Sequence, residues 1–314
     1  LLRQLPPLLR DWDWLKRSPP NRHQAVESAE PLAKEMGAAV LSTWQTLIQQ
    51  PDVDLVAIAS ANPNHGEAVE AALKAGKHVV VEYPLALDLA QARRLLALAD
   101  NQNKLLHVEH IELLGGLHQT VKAQLVEVGH PIYVRYATIS PQHPAPNKWT
   151  YNPDLFGFPL MGALSRINRL TNLFGSVKTV ACQNRSYSDR ADGTYDTHLC
   201  SAQLAFHAGT IADVVYGKGD RLWKSTRTLE IQGSQGTLYF EGDRGTLINA
   251  EGERSIEVAS RRGLFVRDTT LVLDHLEQGV PLYIQPKESC YALAVADAAR
   301  QAAETGQVVA VAEP

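Results

Sequence analysis

From Pro51 onward, apolar and polar residues fall into alternating blocks. "DLVAIAS" (54–60) is a short, continuous apolar run, the pattern of a strand buried in a parallel sheet. "ANPNH" then turns the chain. "HGEAVEAALKAGK" places apolar residues at helical spacing and ends near Gly76, a natural C-cap. "HVVVEYP" is a second buried strand, stopped by Pro84. "DLAQARRLLALADNQN" is a second amphipathic helix with Asp88 as N-cap, and "KLLHVEH" a third strand. Strand–helix–strand–helix–strand predicts right-handed crossovers and a parallel, Rossmann-like sheet.

The pattern changes after about Gly116. "PIYVRYATIS", "VKTVACQNRSYS", "HLCSAQLAFHAGTIADVVYGKG" and "RTLEIQGSQGTLYFEGDRGTLINAEGERSIEVAS" alternate apolar and polar residues and break at glycine. "FHAGTI", "GSQGT" and "GDRGT" read as hairpin turns. A large, mostly antiparallel sheet is expected, interrupted by one helix, "PLMGALSRINRLTNLFG", that ends at Gly175. A last helix follows Pro286. The division expected is residues 1–115 for an incomplete dinucleotide-binding domain and 116–314 for a substrate domain, an α/β half joined to an α+β half.

A dinucleotide-binding domain should open with a strand and G-x-G-x-x-G, whose glycines let the backbone approach a pyrophosphate. Gly37 is the first glycine of this chain, which begins with Leu. "LLRQLPPLL" reads as the tail of a helix and "RDWDWLKRS" as the second strand of the sheet. The expectation is that roughly 25 preceding residues are absent, the size of one strand, a tight turn and part of a helix. The alternative is a chain that never carried the motif.

The chain has 314 residues, 45 % hydrophobic and 20 % charged, enough to bury two cores without staples. A net charge of -4 gives no global basic field, so nucleic acid is not an expected partner. Neither is a membrane, since no run reaches the roughly 18 apolar residues of a span. Cys182, Cys200 and Cys290 lack the spacing of a disulfide framework or a metal site and read as buried thiols in a reducing, cytoplasmic setting.

Several polar positions stand out. Arg166 and Arg169 are three apart on one face of an otherwise apolar helix, so they need an anionic or polar partner. Tyr83 and Glu82 stand at the end of a strand, where ligands bind in open α/β sheets, although core packing would also suit the tyrosine. Glu109, His110 and Glu112 follow the third strand. Flanking carboxylates are expected to raise the pKa of His110 and make it a proton-transfer group; an ordinary structural hydrogen bond is the alternative, and a metal site is disfavoured. Lys16, Arg17, Ser18 and Arg22 follow the presumed second strand, where an arginine can hold a 2′-phosphate and favour NADPH over NADH.

"DLVAIASANPNHGEAVEAALKAGKHVVVEYPLAL" resembles the glucose–fructose oxidoreductase, inositol dehydrogenase and MocA-like family. There the last motif is Glu-Lys-Pro; here it is Glu82-Tyr83-Pro84, with tyrosine at the position of the catalytic lysine. The Asp-x-x-x-His of the sugar dehydrogenases in that family falls on Ser165 and Arg169. Both departures count against a polyol dehydrogenase. "HVEHIELLGG", "PAPNKWTY", "FGFPL", "ALSRI", "YGKG" and "SRRGLF" are similar to the cyanobacterial biliverdin reductases. That resemblance implies hydride transfer from NADPH to the central methine bridge of biliverdin, giving bilirubin. It places Asn62, Pro63 and His65 at the cofactor, beside the strand-end candidates Ser60, Glu82 and Tyr83. It assigns proton transfer or substrate contact to Arg166, supported by Arg169; from their positions alone Tyr83, Glu109 and His110 are further catalytic candidates, and Glu112 and Lys218 further substrate contacts. Arg261 and Arg262 add positive charge for the propionates, and the open sheet suggests a homodimer. The competing readings are another oxidoreductase of the same family and a bilin-binding chain deficient in cofactor.

Overall fold

The computed structural model describes residues 29–313 apart from Leu32. Lys16, Arg17, Ser18, Arg22 and the strand expected at 10–18 lie outside the described residues. The chain divides into two compact units. One holds the residues up to Ile111 together with Arg262–Pro286; the other holds Glu112–Arg261 and the chain from Lys287. No helix among the described residues is long and apolar enough to cross a membrane.

The first unit is built on a three-stranded parallel sheet, β1 (Leu55–Ile58), β2 (His78–Glu82) and β3 (Leu106–Glu109), in that spatial order. Leu55 pairs with His78 and Val79 with Leu106, so the strands end in register. Every residue of β3 is buried, including the polar His107 and Glu109. A short helix α1 (Trp44–Ile48) precedes the sheet, capped by the Thr43 hydroxyl. The crossovers are α2 (His65–Lys74) and α3 (Leu89–Gln102). α2 buries Val69, Ala72 and Leu73 completely. α3 begins as expected: the Asp88 carboxylate accepts the N–H of Gln91 at 2.6 Å.

The second unit is a nine-stranded sheet. Its strands are β4 (Pro131–Pro141), β5 (Val177–Tyr187), β6 (Thr197–Phe206), β7 (Ile211–Gly219), β8 (Thr226–Gly233), β9 (Gly236–Glu241), β10 (Arg244–Asn249), β11 (Gly252–Glu257) and β12 (Val309–Ala310). The order is β11-β10-β9-β8-β4-β7-β6-β5-β12. β4 and β7 run parallel while β4 and β8 run antiparallel, and the hairpins fall at the three expected glycine turns. The helices are α4 (Gly116–Val128), α5 (Pro153–Phe156), α6 (Pro159–Gly162), α7 (Ser165–Phe174), α8 (Leu264–Gln278), which belongs to the first unit, and α9 (Pro286–Thr305).

Three elements differ from expectation. The single helix expected over 159–174 is two, α6 and α7, because Ala163 leaves helical geometry at φ -109°, ψ 36°. α4 and α8 were not expected. α8 contains "FVRDTTLVLDHL", whose Val and Thr content favours strand, yet Leu264, Asp268 and Val272 recur every four residues and are buried together. α4 starts at Gly116, where the absent side chain matters: a Cβ there would stand 2.1 Å from the carbonyl oxygen of Ala259. Helix propensity alone favours alanine over glycine by about 0.5–1 kcal/mol, but this clash is against backbone. Gly116→Ala is therefore expected to destabilise the protein by about 1–3 kcal/mol, read from its urea unfolding midpoint; an unchanged or raised midpoint would show that the backbone at 259 yields.

Candidate active site

In the first unit the polar residues gather where the three strands end. After β1 the chain makes a 3-10 turn over Asn62–Asn64, with Pro63 fixing the backbone, and enters α2 at His65. His65 is 1 % exposed. Its Nδ1 lies 2.8 Å from the carbonyl of Pro84 and its Nε2 2.8 Å from the carbonyl of Ser60. It therefore ties the end of β1 to the turn after β2, which contains the cis Tyr83–Pro84 bond. Burial lowers its pKa, against the opposing pull of those carbonyls. Of the residues assigned to the cofactor, His65 is thus a strut inside the site wall. Asn62 is buried as well, and Ser60 and Glu82 are half-buried at the strand ends.

Glu82 and Glu109 are register partners on β2 and β3. With Ile58, Asp268 and Thr269 they line a cavity of about 20 Å³, room for one water. Glu109 is buried and its Oε1 accepts the N–H of Ile111 at 3.1 Å, so it also caps the chain after β3. Tyr83 and His110 stack face to face, 4.9 Å between centroids and 9° between planes. His110 is fully buried. Burial, reinforced by the neighbouring His107, pushes its pKa down to about 3. The expected upward shift from flanking carboxylates is thus reversed: desolvation of the imidazolium wins, and His110 is a neutral ring at neutral pH.

Three residues that sequence reasoning passed over hold this rim in place. His107 donates from Nε2 to Asp268 Oδ1 at 2.8 Å, and the Tyr283 hydroxyl donates to the same oxygen at 2.7 Å. Tyr283 in turn accepts the backbone N–H of His110 at 3.0 Å. Burial and the adjacent Asp268 raise the Tyr283 pKa well above its ordinary value, so it stays a phenol.

In the second unit the two arginines of α7 have different fates. Arg169 is 4 % exposed. Its guanidinium donates to the Tyr136 hydroxyl at 3.0 Å and to the Glu112 carbonyl at 3.3 Å. It is committed to the fold and is a positioning residue. Arg166 is half-buried; it donates to Ser165 Oγ at 3.2 Å and its Cζ lies 4.7 Å over the Tyr216 ring. Glu112 accepts from Arg261 at 3.0 Å, so its carboxylate is occupied by a cation of the "SRRGLF" segment.

Lys218 is turned into the fold and is 7 % exposed. Its ammonium donates to the Thr150 carbonyl and stands 4.2 Å from the Phe156 centroid and 4.5 Å from that of Tyr151. Burial, and then Arg166, pull its pKa down to about 7. Directly across the β6–β7 ladder is His198, fully buried and stacked on Tyr195 at 4.7 Å. Neither ring nitrogen of His198 has a hydrogen-bond partner, and burial beside Lys218 pushes its pKa to about 3. The region under Arg166 is therefore an aromatic bed that disfavours further positive charge.

The parallel sheet thus ends in carboxylates and an aromatic ring, and α7 holds a half-buried arginine over a tyrosine of β7; the class of protein these belong to is a nicotinamide-dependent oxidoreductase. The chain belongs to the GFO/IDH/MocA oxidoreductase family: residues 21–110 match its NAD-binding Rossmann fold and 122–311 its C-terminal α/β domain. A structure of biliverdin reductase from Synechocystis sp. PCC 6803, solved with biliverdin and NADP+, is 47 % identical over 88 % of each chain, with a TM-score of 0.86. Human biliverdin reductase A is 33 % identical over 145 residues, 46 % of this chain and 46 % of its own length, so the match spans under half of that relative. A levoglucosan dehydrogenase structure shares the fold at 18 % identity over 92 % of this chain and 88 % of its own, with a TM-score of 0.77.

The buried histidines set the acid limit of the fold. His110 and His198 titrate near 3 and His118 near 4 when folded, against an ordinary 6.5. The unfolded chain binds more protons across that window, so the stability present above 6.5 is lost as pH falls toward the folded values. The urea midpoint should drop steeply from about pH 6.5 to about pH 4, and His198→Phe should flatten that slope. A slope unchanged in the variant would show that His198 does not contribute.

Proposed function

We propose that this protein reduces biliverdin to bilirubin with NADPH, delivering hydride to the central methine bridge of the tetrapyrrole. The observation that carries the choice of substrate is the 47 % identity, over 88 % of both chains, to a biliverdin reductase solved with biliverdin and NADP+. The site chemistry supports it. Tyr83 stands where the dehydrogenases of this family hold lysine, and Ser165 and Arg169 replace their Asp/His pair, so the groups that deprotonate a polyol are missing.

The residues at the strand ends fit a nicotinamide. The carbonyls of Ser60 and Pro84, fixed by His65, and the half-buried Glu82 make an acceptor-rich rim, suited to a carboxamide N–H₂ and ribose hydroxyls. The stacked Tyr83–His110 pair offers a flat wall. When bound, the reduced nicotinamide supplies the hydride. The protein supplies position, exclusion of water and control of the proton. Arg17 and Ser18 are proposed to meet the 2′-phosphate that distinguishes NADPH from NADH.

Arg166 is the group assigned to the pigment. Its guanidinium is held on Tyr216 and beside Ser165, and a cation fixed in this way suits a propionate or a lactam oxygen. A guanidinium does not release its proton near neutrality. Arg166 therefore polarises the bilin or orients a water that protonates a pyrrole nitrogen, while Arg169 and Glu112 keep α7 and Arg261 in place.

The assay is loss of biliverdin absorbance and growth of a bilirubin band with NADPH. Arg166→Ala should lower turnover by about 10²-fold or more and leave the NADPH dissociation constant within about twofold. Oxidation of inositol or a sugar with NADP+, with no reduction of biliverdin by NADPH, would overturn the substrate assignment; full turnover in Arg166→Ala would remove that residue from the chemistry.

A further inference from the structure

The segment that returns to the first unit, Arg262–Pro286, supplies a second set of partners to the strand ends. The β2–β3 ladder stops at the Glu82–Glu109 pair, so the backbone N–H of His110 falls beyond it. A buried N–H without a ladder partner needs another acceptor. Tyr283, shortly after α8, supplies it at 3.0 Å. The Tyr283 hydroxyl gives its own proton to Asp268 Oδ1 at 2.7 Å, and His107 Nε2 donates to the same oxygen at 2.8 Å. The Tyr283 ring also meets the His107 ring edge to face, 5.5 Å between centroids and 73° between planes. One phenol thus joins α8, β3 and the turn that follows β3.

The polarity of that phenol is dictated from α8. Asp268 is buried and its carboxylate can only accept, so it takes the Tyr283 proton. The phenol oxygen is then left to accept on its other side, which matches the N–H of His110. A bond to a buried carboxylate is charge-assisted and little screened by water, so the anchor is firm. What it holds is a plane. The His110 ring takes its place from the backbone that Tyr283 fixes, and the Tyr83 ring lies on it within 9° of parallel.

We propose, on the cofactor reading given above, that Tyr283 anchored on Asp268 is a positioning residue for the nicotinamide: it holds His110 so that the Tyr83–His110 stack presents one flat wall to that ring. Tyr283→Phe keeps the ring against His107 and removes only the two hydrogen bonds. By titration calorimetry it should weaken NADPH by about fivefold or more. Adenosine 2′,5′-bisphosphate, which lacks the nicotinamide, should bind within about twofold of its affinity for the unaltered protein. A purely structural role would weaken both nucleotides alike. In the ligand-free variant the Tyr83 ring-proton resonances should shift, because the His110 ring that shields them has moved. Asp268→Asn keeps an acceptor for both donors and should bind NADPH within about twofold of the unaltered protein. Equal weakening of the two nucleotides in Tyr283→Phe, unchanged NADPH affinity, or unmoved Tyr83 resonances would overturn the proposal. So would Asp268→Asn as weak as Tyr283→Phe. Absence of NADPH binding by the unaltered protein would overturn the cofactor reading itself, and this proposal with it.

Discussion

Burying a guanidinium is the constraint around which the second unit is arranged. Desolvating such a cation costs several kcal/mol unless its N–H groups are met. Arg169 is almost wholly withdrawn from water and finds a phenol on β4 and a backbone carbonyl at Glu112. Hydrogen bonds to a charged group are worth about 1.5–3 kcal/mol each, and the Tyr136 face below it adds a further attraction. These bonds fix the rotation of α7 about its own axis. Arg166, three residues earlier, inherits its direction from that choice. One arginine is turned inward so that the other is aimed.

The first unit reaches rigidity by another route, using histidines as hydrogen-bonding struts. His65 links two strand-end turns through their carbonyls, and His107 joins β3 to α8 through Asp268. An imidazole presents two hydrogen-bonding nitrogens in one fixed plane; the neutral His65 ring donates to one of the two carbonyls and packs against the other, and donates to both only when protonated. The second unit differs: His198 makes no hydrogen bond and is held by stacking on Tyr195, across the ladder from Lys218. There, a cation and rings are packed where a carboxylate would be the usual partner.

Much of the architecture was legible in the pattern of apolar residues. The three parallel strands, their crossovers, the Asp88 cap and the glycine hairpins follow from local rules, and they lie within a few residues of the expected ends. α8 was not legible, because Val266, Thr269, Thr270 and Val272 give it a β-branched content that reads equally well as strand. The candidate site was legible only in part. Arg166, Tyr83 and Glu82 stand at positions that local pattern and resemblance mark out. The His107–Asp268 pair joins residues 161 apart, and no spacing rule reaches that far. The sign of the His110 shift depends on burial on all sides, which neighbouring carboxylates in the chain do not reveal.

β4 is bordered by β7 on one side and β8 on the other, and both lie far downstream. Tyr133 finds its partner Ile211 only after roughly 80 further residues have left the ribosome, on the order of several seconds at ordinary elongation rates. Through that interval the strand at the centre of the finished sheet has two open edges and no template. Newly made chains are therefore at their most adhesive midway through translation, and crowded overexpression should strain this protein sooner than its final compactness suggests.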